Sequence, residues 1–114
     1  MKNDAIIDKL IVIQGDISNL KDDQGNVIDV KVIVNAAKPT LMGGSGVDGA
    51  IHSAVNKGLN EMTFKEGIKR ELDGGVDFDE NRIRCAHGDA VITSGHELCD
   101  FIIHAVGPKW DGWW

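Results

Sequence analysis

Apolar residues fall in two rhythms along this chain, and the change between them marks the elements. Leu10-Ile11-Val12-Ile13-Gln14 is a short apolar run stopped by Gly15, and Val30 to Val34 is a second, broken only by Lys31. Both read as strands, the second suited to a central or half-buried place. From Val47 the spacing changes. Val47, Ala50, Ile51, Ala54 and Val55 follow the i, i+3, i+4, i+7, i+8 pattern of a helix with one buried face, and Gly58 ends it. Phe64, Ile68 and Leu72, four apart, predict a second helix over about Glu61 to Leu72, stopped by Asp73-Gly74-Gly75. Ala90 to Thr93 and Phe101 to Val106 return to strand character, divided by Ser94-Gly95-His96. Residues 1–9 read as a frayed or helical lead-in, Lys21 to Asn26 as an exposed loop or hairpin tip, and 76–84 as a weakly structured connector. The order β, loop, β, α, α, β, β predicts one α/β domain over residues 1–114.

The loop between the second strand and the first helix changes the picture most. Glycine is enriched, at 14 of 114 residues against a usual ~7%, and Gly43-Gly44-Ser45-Gly46 sits where a strand hands over to a helix N-terminus. Glycines let a ligand approach main-chain N–H groups without meeting a Cβ, and the helix adds its positive end. On spacing alone the loop is either a phosphate cradle or a structural turn. It is neither a Walker loop nor a GxGxxG dinucleotide loop. Asp48 is a helix cap or a carboxylate beside a bound phosphate. Asn35 either donates to a sugar hydroxyl or satisfies loop backbone, and Asp16 either shapes a turn or accepts from a base amine.

Charge and cysteines narrow the partners. The net charge is −6 and the pI about 5.0, so bulk attraction to nucleic acid or anionic membrane is excluded and an anionic ligand must be held by local geometry. No apolar run approaches the ~20 residues needed to span a bilayer, and no secretory signal is evident. Cys85 and Cys99 lack metal-type neighbours and read as two buried thiols of a cytoplasmic protein. The four histidines show no metal-type spacing. His52 falls on the polar side of the helix pattern and is expected to be exposed; His104, inside an apolar strand, is expected to be a satisfied core histidine. No metal or redox cofactor is implied. Trp110, Trp113 and Trp114 crowd the end of the sequence, where their large surface calls for cover by this chain or another.

Taken together, Gly15-Asp16-Ile17, Ile33-Val34-Asn35-Ala36-Ala37, Leu41 to His52, Gly88 to Gly95 and Ile103 to Trp110 closely resemble, in order and spacing, the macrodomain family in its MacroD-like class of O-acetyl-ADP-ribose deacetylases and ADP-ribosyl hydrolases. The resemblance implies a macrodomain-like mixed sheet with flanking helices, and ADP-ribose or ADP-ribosylated protein as the partner. It implies that Asp16 accepts from the adenine amine beside the N–H of Ile17. Gly43, Gly44, Ser45, Gly46 and Val47 would wrap the diphosphate and distal ribose, Asn35 would place that ribose, and Asp48 would orient or activate a water. Asn35 and Asp48 are thus the catalytic candidates.

Two departures bear on activity. Hydrolytic members carry a second Asn where this chain has Lys38, which cannot supply an amide's paired donor and acceptor and is expected to weaken hydrolysis more than binding. Members also continue past Gly-Pro-Lys-Trp into a second phosphate loop and two strands in the middle of the sheet. The resemblance therefore covers the N-terminal two-thirds of a macrodomain, and the expectation is a homo-oligomer, a missing C-terminal complement, or rearranged strand pairing. The rival readings are a non-catalytic ADP-ribose reader and a truncated, self-associating fragment without ligand affinity.

Overall fold

The structure, a computed structural model, describes residues 10–60 and 62–109. The expected lead-in over residues 1–9 and the tryptophans from Trp110 lie outside them. Among the described residues seven elements follow in order: strands β1 (Gly15–Asp16), β2 (Lys21–Asp22) and β3 (Val32–Ala37), helices α1 (Gly46–Lys57) and α2 (Phe64–Leu72), and strands β4 (Ala90–Ser94) and β5 (Phe101–Val106). β1 and β2 form a small antiparallel hairpin, and the main sheet has the order β3-β5-β4. Its centre, β5, runs parallel to β3 and antiparallel to β4, so the sheet is mixed.

The first predicted strand is not formed. Leu10–Gln14 pairs with no strand of the main sheet, and Leu10 and Val12 are 72% and 91% exposed. An apolar run becomes a strand only where a neighbour accepts its backbone hydrogen bonds. Here the residues flank an apolar groove of about 320 Å³ between the hairpin and β3, lined by Ile11, Ile13, Leu20 and Val32 among others. Lys21–Asn26 is a hairpin segment as expected: Asp22 accepts from the Asn26 backbone and amide, and Gly25 turns with φ +83°.

β3 is displaced towards the C-terminus of its predicted span. It begins at Val32 and runs on through Asn35, Ala36 and Ala37, because these continue the parallel register with His104, Ala105 and Val106. Asn35 therefore lies within the strand rather than at its end. Alternation puts Ile33 and Asn35 on the covered face of the sheet, with Ile102, His104 and Val106 of β5 and Thr93 of β4. The other face leaves Val32, Val34, Ile92 and Phe101 exposed.

α1 keeps the expected helical period but is rotated by about one residue. Its buried positions are Asp48, Ile51, His52 and Val55, whereas Val47 is 48% exposed. The reason is polar: Asp48 turns inward to meet Asn35, and His52, one turn later, follows it. α2 begins at Phe64, three residues later than predicted. Thr63 caps it, its hydroxyl accepting from the N–H of Glu66, an arrangement worth ~1 kcal/mol. Phe64 and Ile68 pack with Ile33, Leu41, Ile51, Val55 and Ile102 to make the core.

The connector is better anchored than its sequence suggests. Asp73 and Arg84, each with a 1% exposed side chain, form a bidentate ion pair with bonds of 2.8 to 3.2 Å. Arg84 also donates to the carbonyl of Thr40, and the N–H groups of Arg84 and Cys85 donate to Pro39. The segment entering the glycine loop is thereby tied down. Both cysteines are free thiols; Cys85 is buried as expected, but Cys99 is only half-buried.

Candidate functional site

The site grows from one pairing in the sheet. Register places Asn35 of β3 opposite His104 of β5, both fully buried. A buried amide must find partners. Asn35 Nδ2 donates to Asp48 Oδ1 at 2.8 Å, reaching from the sheet to the first turn of α1. Because a carboxylate only accepts, this contact fixes which end of the amide faces it. The same Nδ2 lies 3.4 Å from His104 Nδ1, which must then be the acceptor. The ring proton therefore sits on Nε2, 2.9 Å from Thr93 Oγ1. A chain of polar groups from Thr93 to Asp48 crosses the core in one protonation pattern.

Burial enforces that pattern. It pushes the His104 pKa down to about 4, helped by the neighbouring His52 ring and opposed by the Asp48 carboxylate. His52 is also held below the usual histidine range, chiefly by burial, with Asp48 opposing and Lys65 adding to the shift. Contrary to expectation His52 is only 7% exposed, its Nε2 lies 3.5 Å from Asp48 Oδ1, and its ring packs 4.7 Å from Phe64. His104 is the core histidine expected, and also the group that orients Asn35.

Two acceptors are left over. Among the described residues, Asn35 Oδ1 and Asp48 Oδ2 are shielded from water and without a hydrogen-bond partner, as are the ring Nε2 atoms of His52 and His96, which can donate or accept according to tautomer. Leaving such a group unsatisfied costs ~1–3 kcal/mol, so a donor brought by a ligand would gain that back. Asp48 is thus no helix cap. Ser45 stands at the N-cap position but its side chain makes no capping bond, which leaves the first N–H groups of α1 free.

The glycine loop meets these acceptors from outside. Gly43 and Gly46 hold φ of +86° and +62°, a region that costs other residues ~1–2 kcal/mol. Gly49, in the first turn of α1, lies so close to the Gly44 carbonyl that no side chain fits. A Cβ at Gly44 would stand 3.0 Å from Lys38 Nζ and 3.3 Å from Asp48 Oδ2. The exposed ammonium and the buried carboxylate oxygen therefore flank one bare patch of backbone, without forming an ion pair within 4.0 Å among the described residues. The loop N–H groups, one cation and two unpartnered acceptors make a site for an anion joined to a polyol.

The Macro domain family model matches residues 34–114. The chain belongs to the macrodomain family. Among its relatives, an O-acetyl-ADP-ribose deacetylase of Cronobacter sakazakii is 41% identical over 105 residues, covering 91% of this chain and 47% of the relative. A macro domain-containing protein of Listeria monocytogenes is 44% identical over 104 residues, 90% of this chain and 47% of that protein. The Oceanobacillus iheyensis macrodomain solved with ADP is 40% identical, with a TM-score of 0.53, over 85% of this chain and 43% of that one. The chain spans about half the length of the curated relatives it matches.

In this macrodomain the predicted site residues separate into two groups. Asn35, Asp48 and the Gly43–Val47 loop come together around α1. Asp16 and Ile17 lie on the small hairpin, both exposed, with Asp16 lining a cavity of about 660 Å³ together with Ala50, Ser53, Ala54 and Lys57 of α1; Asp16 Oδ1 already accepts from the Ser18 N–H at 2.9 Å and its hydroxyl at 2.6 Å. Those two bonds hold the Asp16 carboxyl below its ordinary range. Thr93 and the buried role of His52 were not read from the sequence. The four-residue step from Asp48 to His52 on one helix was the available signal for the latter.

Proposed function

We propose that this chain binds ADP-ribose or ADP-ribosyl groups at the Asn35–Asp48–glycine-loop site. One observation carries the reading: two buried acceptors, Asn35 Oδ1 and Asp48 Oδ2, stand unpartnered beside a positive-φ glycine loop and an uncapped helix N-terminus. Ribose hydroxyls would donate to the acceptors while loop N–H groups hold the diphosphate. Asp16 and Ile17 would meet the adenine. The deacetylase name of the Cronobacter relative and the ADP bound by the Oceanobacillus macrodomain support the same ligand class.

A second reading, hydrolysis of O-acetyl-ADP-ribose or of ADP-ribosylated side chains, is favoured by the free Oδ2 of Asp48. A water donating to it would have a lone pair free for the acyl carbon. As the new C–O bond forms and the ester bond breaks, Asp48 takes the water's proton and the ribosyl oxygen recovers one, with loop N–H groups facing the developing oxyanion. Lys38, whose ammonium stands beside that oxygen, favours the plain ADP-ribose reader over the hydrolase.

Calorimetric titration with ADP-ribose should give saturable binding, weakened roughly tenfold in Asn35→Ala, the loss of one to two hydrogen bonds. No heat at millimolar ligand would overturn the binding reading. Turnover of O-acetyl-ADP-ribose that disappears in Asp48→Ala supports the hydrolase, whereas two equally inert proteins leave the reader.

A further inference from the structure

Two cavities run side by side along α1. The first, of about 660 Å³, is lined by Ala50, Ser53, Ala54 and Lys57 and includes Asp16 of the hairpin. The second, of about 510 Å³, is lined by Gly49, His52, Ser53 and Asn56 and shares Gly43 and Gly44 with the glycine loop. The two sets are shifted by one residue, about 100° around a helix, and they meet at Ser53. A ligand lying across the N-terminus of α1 with its base towards Asp16 therefore has its far end, the ribose on which a protein would be carried, directed to the second cavity.

That second cavity is built of donors. Asn56 Oδ1 already accepts from the Phe64 N–H at 2.7 Å, which leaves its amide hydrogens to be given elsewhere. The Thr63 oxygen accepts from the Glu66 N–H at 3.3 Å, which leaves its own proton to give. Ser53 adds a hydroxyl, and Lys65, in the first turn of α2, an ammonium. None of the described residues that line it carries a carboxylate, although the chain has 18 Asp and Glu against 12 Lys and Arg. The side chain of Lys65 is 48% exposed, and its partner Glu80, at 3.1 Å, is 57% exposed. A pair this open to water holds weakly, so another carboxylate can take the place of Glu80. Backbone carbonyls and carboxylates are the groups such a lining accepts, and an extended acidic segment of polypeptide presents both.

We propose that this cavity docks the polypeptide to which an ADP-ribosyl group is attached, with Lys65 reading an acidic residue beside the point of attachment. The proposal rests on the ADP-ribose reading and adds to it the sequence of the partner. Ser53, Asn56 and Thr63 donate to main-chain carbonyls of the segment as it leaves the ribose, and Lys65 exchanges Glu80 for the carboxylate of the segment. With a net charge of −6 the chain as a whole repels an acidic partner, so a local cation decides where that partner lies. The contact is open to water and weakens as salt rises.

Calorimetry on the 114-residue chain tests this with ADP-ribose and with two synthetic peptides that carry ADP-ribose through the same hydrolysis-resistant linkage. One peptide has glutamates flanking the attachment point and the other glutamines. Wild type should bind the glutamate peptide roughly three- to fivefold more tightly than the glutamine peptide, the size of one exposed ion pair. Lys65→Gln should remove that gap and Lys65→Glu should invert it. Both variants should hold ADP-ribose itself within about twofold of wild type, which also shows them to be folded. If ADP-ribose binds but wild type takes the two peptides alike, or Lys65→Glu leaves the glutamate preference in place, this proposal is wrong and the ADP-ribose reading stands. If neither ADP-ribose nor either peptide binds, both fall.

Discussion

Mild acid should destabilise this macrodomain through His104, and the size of the effect follows from its surroundings. The ring is fully buried, accepts at Nδ1 from Asn35 and faces Thr93 with Nε2. A proton added at Nδ1 would turn an acceptor into a donor pointed at the Asn35 amide nitrogen. Relieving that clash by turning the amide would break the 2.8 Å bond to Asp48. The folded-state pKa is accordingly about 4, against an ordinary 6.5. A histidine with a depressed pKa binds fewer protons folded than unfolded between those values, so the unfolded state gains as pH falls. The stability it contributes is fully present above about pH 6.5 and is lost progressively down to about pH 4. At ~1.4 kcal/mol per pH unit the loss is about 2 kcal/mol at pH 5 and approaches 3 at pH 4. That is a large share of the ~5–15 kcal/mol typical of a small domain. His52, also depressed by burial, adds in the same direction. Urea unfolding followed by circular dichroism between pH 7 and 5 measures the slope above the range where ordinary carboxylates titrate, and the C2-proton resonance of His104 reports its own titration. A ring that titrates near 6.5, or an unfolding midpoint that does not move between those pH values, would refute the network as drawn.

Two further outcomes test the framework that holds the loop. Arg84→Ala leaves the buried Asp73 with only the looser Arg82 contact at 3.7 Å and cuts the bond to the Thr40 carbonyl; the loss of stability should be ~3 kcal/mol, the low end for a broken buried pair, in a thermal melt, and a loss under ~1 would show the pair to be dispensable. Gly25→Ala and Gly43→Ala both place a side chain at positive φ, but only at Gly43 does the new Cβ meet a neighbour, the His52 ring at 3.2 Å. Both should lose ~1–2 kcal/mol from backbone strain, and Gly43→Ala should lose more and weaken ADP-ribose binding as well; equal losses with unchanged binding would mean the ring yields freely.

The sequence by itself determined much of the secondary structure. Period-2 and period-3.6 patterns are local, so β5 emerged with its predicted bounds, β4 gained only Ser94, and α1 ended at Gly58 as read. Motif spacing also carried the family, since Asn35, the glycine loop and Asp48 are close in sequence and share one strand–loop–helix unit. The tertiary structure alone decided three things. Leu10–Gln14 has β character, but among the described residues only the Gln14 carbonyl finds a backbone partner, the N–H of Asp23, and pairing is not a property of the strand itself. The face of α1 is set by the Asn35–Asp48 bond, which turns Asp48 and His52 inward where hydrophobicity alone placed Val47 and Ala50. The state of His104, and with it the orientation of Asn35, depends on a register in which β3 lies parallel to a strand far along the chain. Contacts of that range leave no trace in local pattern, because they are made by residues whose only relation is that folding brings them together.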